Sequence, residues 1–146
     1  MASYKFYNVK VRYVHDGDTA TLNIDLLLKR TLYEGPCRLL GVDTLELDKG
    51  SPEQQDKAQK AQRMLELLLR RKILLVDVYG FDKYGRPLVT IFVQGKRDGK
   101  EYTINVNKEM LDSGYTKSIT VEKQKKQNKN PHLTVTKKNI KHLWTK

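Results

Sequence analysis

The 146-residue sequence holds one cysteine, Cys37, and one tryptophan, Trp144. A single thiol excludes an internal disulfide and a cysteine-based zinc site. Long apolar runs are missing too: residues 26–28 and 73–76 are apolar throughout but far too short to span a bilayer. No membrane partner is expected. The opening stretch, residues 1–7, has no basic start followed by an apolar segment, so no secretory signal is read. The expected location is the cytoplasm, or outside the cell if a signal was removed. No internal repeat is found. Acidic residues are in short supply, 17 against 28 Lys and Arg, which leaves +11 at pH 7 with histidines neutral.

A length of 146 residues with 38% hydrophobic content fills one core and makes a wholly disordered chain a poor reading. The charge is uneven. Residues 1–120 carry a net +4 and residues 121–146 a net +7, from eight lysines against Glu122. The expected division is a folded domain over residues 1–120 and a basic, partly ordered tail over 121–146. A basic excess favours a polyanion, nucleic acid before membrane, because neutralised phosphates release counterions.

The first third reads as strands. Residues 4–13 and 19–27 alternate apolar and polar positions and are rich in β-branched and aromatic residues. Between them Asp16-Gly17-Asp18 reads as a turn, with Gly17 free to take a positive φ. Glu34-Gly35-Pro36 interrupts before a third strand over 37–42. A helix follows: Ser51 caps it, Pro52 suits its first position, and Ala58, Ala61, Met64, Leu65 and Leu68 form an apolar stripe. Strands over 73–78 and 87–94 flank an eight-residue connection, and a third returns over 102–106. A short helix over 106–113 is stopped by Gly114. The predicted class is mainly β with α: a five-stranded barrel of the OB type with two to three packed helices.

Three stretches place charged residues beside turns: Asp16-Gly17-Asp18-Thr19, residues 38–46, and Asp82-Lys83-Tyr84-Gly85-Arg86. Each alone reads as an ordinary turn or loop. Together they form a chemical set. Two carboxylates and a backbone carbonyl suit a hard divalent cation. A third carboxylate can deprotonate water, and two guanidiniums can grip a phosphate and stabilise charge developing on it. Those are the requirements of metal-assisted phosphodiester hydrolysis.

In this order the motifs resemble the staphylococcal nuclease family from about Val9 to about Lys117. The resemblance rests on Asp-Gly-Asp-Thr, then Arg-Leu-Leu-Gly-Val-Asp-Thr-x-Glu, a helix, Asp-Lys-Tyr-Gly-Arg-Pro-Leu, and Val-Asn before a short helix ending in Gly. It implies an OB-type barrel and a Ca²⁺-dependent endonuclease acting on DNA and RNA, monomeric, favouring single strands and leaving 3′-phosphate ends. By position, Asp18 and Asp43 resemble the carboxylate ligands of calcium, and Thr44 the ligand that offers its carbonyl. Glu46 resembles the general base. Arg38 and Arg86 resemble the arginines on the scissile phosphate, and Lys83 and Tyr84 the residues lining the nucleotide phosphate site.

The sequence departs from the family pattern in places. Leu45 stands where the family has proline between Thr and Glu, which loosens the loop carrying Thr44 and Glu46. Thr120 stands where the family places a base-stacking tyrosine, with Tyr115 the nearest aromatic. Asp25 is an extra acid, read as a metal neighbour or a solvent-facing strand residue. Trp144 is expected to pack the tail onto the barrel. Cys37 is expected to be a small buried hydrophobe and His15 a surface turn residue. Two further readings stand beside the nuclease: a non-catalytic nucleic-acid-binding OB-fold protein, and a protein-interaction module that keeps the barrel for its shape.

Overall fold

A computed structural model of the chain describes residues 2–25, 30–45 and 50–125. The end of the expected second strand (Leu26, Leu27), Glu46, and the tail from residue 126 with Trp144 lie outside the described residues.

The first predicted strand is two: β1 (Tyr4–Phe6) and β2 (Val9–Asp16), split at Tyr7-Asn8. β3 (Thr19–Asp25) returns antiparallel on β2 across the turn, with Asp16 opposite Thr19. β4 (Thr31–Leu39) pairs antiparallel with β3 and runs straight through Gly35-Pro36, which the sequence reading took as a break. Proline is tolerated there because the far side of β4 is paired only at Arg38 and Leu39.

β5 (Val42–Asp43) leads to α1 (Pro52–Leu69). Ser51 caps α1 as expected, and Gln54 completes a reciprocal capping box: the Gln54 amide donates to Ser51 Oγ while the Ser51 amide donates to Gln54 Oε1. The stripe buries Ala58, Ala61, Leu65 and Leu69, and α1 lies along β2. Full burial of a leucine such as Leu65 contributes roughly 1.5–3 kcal/mol.

β6 (Ile73–Phe81) and β7 (Pro87–Arg97) form the next hairpin, each three residues longer than its pattern indicated. β8 (Lys100–Asn105) folds back on β7, and α2 (Val106–Asp112) stops before Gly114, whose φ is 81°. β9 (Lys117–Ser118) pairs with β5, and α3 (Val121–Lys125) follows. The main sheet runs β1-β6-β7-β4-β3-β2, with β8 added on β7. β4 and β7 are parallel, pairing Arg38 with Leu88 and Leu39 with Val89. This is the sheet-rich, helix-covered architecture expected of an OB-type barrel, drawn among the described residues as an open ladder. The core lies inside it: Leu22, Leu39, Val42, Ala61, Leu65, Val76, Val89, Ile91, Val93, Val106 and Met110 have no exposed surface.

Candidate nuclease site

Asp18 sits on the two-residue turn between β2 and β3, and the turn is pressed against α1. A Cβ at Gly17 would lie 2.5 Å from Ala61 Cβ and 2.8 Å from Thr44 Cγ2. Gly17 is therefore required by close approach and does not take the positive φ expected of it. The Asp18 carboxylate is buried and has a donor on each oxygen. Oδ1 accepts from Thr19 Oγ1 at 2.7 Å, and Oδ2 accepts from the Thr44 amide at 2.9 Å.

Arg38, near the end of β4, reaches both expected metal-ligand carboxylates. Its Nη2 donates to Asp43 Oδ1 at 2.7 Å and lies 3.5 Å from Asp18 Oδ2. The same nitrogen donates to the Val42 carbonyl at 3.4 Å. The Arg38 side chain is only 12% exposed, so its charge is held where screening is weak. Two buried polar atoms at this junction have no partner: Arg38 Nε and Thr44 Oγ1.

Asp16 is the residue the sequence reading named but did not use. Its Oδ1 accepts from the Asp18 amide at 3.1 Å. Burial pushes its carboxyl up to about 7, and a hydrogen bond shared with Asp18 and the Asp18 charge add to this. Burial opposes ionisation of Asp18 as well. The hydrogen bond from Asp16, the Arg38 charge, the Thr19 hydroxyl and the Thr44 amide outweigh it and hold Asp18 below the usual carboxylate range. The signal in the sequence was the spacing itself: two acids bracketing a glycine in a two-residue hairpin turn must crowd each other.

Lys83, Tyr84 and Arg86 are gathered on the loop between β6 and β7 around Asp82, which is 6% exposed. Asp82 Oδ1 accepts the amides of Tyr84 and Arg86, and Oδ2 accepts Arg86 Nε at 2.8 Å. Asp82 thus shapes the loop and aims the guanidinium. Lys83 Nζ and Arg86 Cζ lie 5.2 and 5.4 Å from the centroid of the exposed Tyr84 ring. The pairing of Arg38 with Leu88 brings this loop to the strand that carries Arg38.

The structure therefore brings Asp18, Arg38, Asp43 and Thr44 into one cluster and sets Lys83, Tyr84 and Arg86 on the adjoining loop. Among the described residues, no three His, Cys, Asp or Glu side chains are grouped to hold a metal ion. Leu45 is 41% exposed. Asp25 sits at the opposite end of β3 from the Asp18 turn, its Oδ1 accepting from Thr31 Oγ1 at 3.2 Å, so it is a strand residue remote from the cluster. His15 Nε2 lies 2.7 Å from Thr21 Oγ1 on the sheet surface. Cys37 is buried, and burial pushes its thiol up to about 12. Thr120 is exposed and serves the end of the fold, its hydroxyl accepting the Lys123 amide at the start of α3. Tyr115 is 37% exposed and is not a core residue; with Lys57, Thr116 and Lys117 it lines a cleft that ends on Asp43 and Thr44.

The family model described as staphylococcal nuclease homologue matches residues 36–146. The chain belongs to that family. The matched span contains Arg38, Asp43, Thr44, Glu46, Lys83, Tyr84 and Arg86, and begins after Asp18. No curated protein matches the chain. Membership gives a nuclease-like or nucleic-acid-binding fold.

Proposed function

We propose that the protein is a Ca²⁺-dependent endonuclease hydrolysing phosphodiester bonds of DNA and RNA, with single strands preferred and 3′-phosphate ends released. One observation carries this reading. Arg38 bridges Asp18 and Asp43 beside Thr44, with Arg86 steered by Asp82 on the adjoining loop.

The donors suit calcium in kind: two carboxylates and the Thr44 carbonyl are hard oxygen ligands. The buried Thr44 hydroxyl has no partner, so a further oxygen is available beside the two carboxylates. Asp18, Asp43 and Thr44 would hold the ion, which supplies Lewis acidity toward phosphate oxygens when bound. Glu46 would take a proton from the attacking water. Arg38 and Arg86 would grip the non-bridging oxygens and stabilise the charge that builds as the phosphorus–5′-oxygen bond breaks. The freed 5′ oxygen takes up a proton and the phosphate stays on the 3′ side. Lys83 and Tyr84 would fix the neighbouring phosphate, and the protein would act as a monomer.

The test is cleavage of denatured DNA and of RNA with Ca²⁺ and then with chelator. Cutting that stops with chelator, in Glu46→Gln and in Arg38→Ala, with products that need phosphatase before 3′ extension, is the expected result. Removal of one charge-stabilising donor lowers turnover by about 10²–10³-fold. Tight binding of nucleic acid with no cutting in Ca²⁺ would replace the nuclease by a binding protein on the same fold.

A further inference from the structure

Away from the acidic cluster, a cavity of about 330 Å³ opens between β1, β3, β4 and β6. Its walls carry five aromatic rings, from Tyr4, Phe6, Tyr33, Tyr79 and Phe81, with Leu32 at one side. Neither of the two functional clusters uses it. Tyr4 is 73% exposed and Leu32 40%, so the mouth is lined by apolar surface that the fold leaves in water.

Its position says what it receives. Phe81 and Pro87 face each other in the β6–β7 ladder, line the cavity, and are the two residues that open and close the Asp82–Arg86 loop. The wall is thus continuous with the segment that presents Lys83, Tyr84 and Arg86. Pro87 also precedes Leu88, the register partner of Arg38. Tyr33, in the opposite wall, has its hydroxyl pushed up to about 12 by burial first, then by Cys37 and Asp82, with Arg86 opposing, so the loop charges reach this wall. A further cation stands at the rim: Lys125 Nζ donates to the Tyr79 carbonyl at 3.3 Å, beside Gly80. A cation beside Gly80, the basic loop between Phe81 and Pro87, and aromatic residues lining the cavity match a phosphate followed by its base.

We infer that this cavity is a nucleobase subsite, taking the base of a single-stranded nucleic acid whose adjoining phosphate lies on the Asp82–Arg86 loop. The inference rests on the proposed function and deepens it. It also accounts for Thr120, since the base contact missing there is supplied from the β1 side. A duplex cannot use the subsite without unstacking the base, so the cavity selects single strands.

The experiment uses the full chain in chelator, so that nothing is cut. Binding of labelled oligothymidylate is compared with binding of an abasic oligomer of equal length, which keeps the phosphates and lacks the bases. Oligothymidylate is expected to bind about tenfold tighter, the low end of what stacking one base gives. Tyr4→Ala, at an exposed position, is expected to remove most of that preference without changing abasic binding. Tyr13→Ala, an exposed tyrosine on β2, is expected to keep the preference. Equal binding of the two polymers by the parent protein, or a preference that survives Tyr4→Ala, overturns the subsite and leaves the nuclease reading standing. Failure to bind either polymer in chelator overturns the subsite, and the nuclease reading then stands or falls on the cleavage of denatured DNA in Ca²⁺. Nuclear Overhauser contacts from the Trp144 indole to the Leu32 and Ile24 methyls that persist under saturating oligothymidylate would show the cavity filled by the chain's own C-terminal residues, and would also overturn it.

Discussion

Gln124 donates from Nε2 to the Leu39 carbonyl at 3.0 Å, joining α3 to the residue that follows Arg38, 85 positions earlier. Its Oε1 accepts the Gly41 amide at 2.9 Å, and its own carbonyl accepts the Lys83 amide at 2.8 Å. One residue, 2% exposed, thus ties the strand bearing Arg38, through its side chain, to the loop bearing Lys83 and Arg86, through its carbonyl. The start of the basic segment is a clamp between the two halves of the site.

Gln124→Ala is expected to leave the Leu39 carbonyl and Gly41 amide buried and unpaired. The cost is roughly 1–3 kcal/mol for each group. Urea denaturation should show the loss as a lower midpoint at unchanged slope, and KM for nucleic acid should rise because the chain just after Arg38 loses its tie to α3, whose backbone holds the Lys83 amide. Full stability in Gln124→Ala would mean that α3 is not holding the barrel.

Gly17→Ala tests the packing of the turn against α1. The added methyl meets Ala61 Cβ and the Thr44 side chain, neither of which can swing away as a long side chain can. Overpacking of this kind costs about 1–3 kcal/mol. Because Thr44 supplies the amide that holds Asp18, activity is expected to fall further than stability alone explains. A variant as stable and as active as the parent would show that α1 does not set the turn.

Much of the fold was legible because it is written in local periodicity: the stripe of α1, the alternation of β3, the stop at Gly114. What was not legible depends on distant partners. Pro36 reads as a break until the sparse pairing of β4 on its far side is known. Gly17 reads as a flexible turn until Ala61 and Thr44 are seen against it. Gln124 sits in a run of Lys and Gln with nothing apolar to mark it, so its burial is invisible in sequence. Asp18, Arg38 and Asp43, singled out by motif and order, lie together in the fold. Asp82 was seen only as a loop residue, because its role is to hold Arg86 and a positioning carboxylate has no pattern of its own.

Acid stability is expected to depend on Asp77. Burial opposes its ionisation, but Lys5, donating at 3.0 Å to both oxygens, with Ser3 and Tyr79, holds its carboxyl below the ordinary value of 3.8. The folded pKa is depressed, so the stabilisation is complete above the unfolded value and is lost as pH falls through the folded one. Below about pH 4 the parent should lose stability more steeply than Asp77→Asn, and the two curves should converge at still lower pH. Parallel curves from pH 6 to pH 2, measured by thermal melts, would remove Asp77 from the account.

The cleft between Tyr115 and the Asp43–Thr44 corner carries two exposed lysines, Lys57 on α1 and Lys117 on β9. Both side chains are exposed, so their removal should leave stability within about 0.5 kcal/mol. If a nucleic acid strand crosses this corner, each lysine neutralises a phosphate and releases its counterion. Lys57→Ala and Lys117→Ala are then each expected to weaken binding of any sequence alike and to lower the slope of log K against log salt by about 1, additively in the double variant. Affinity measured in chelator at several salt concentrations decides it. A slope unchanged in the double variant would leave the Tyr115 cleft outside the path of the substrate.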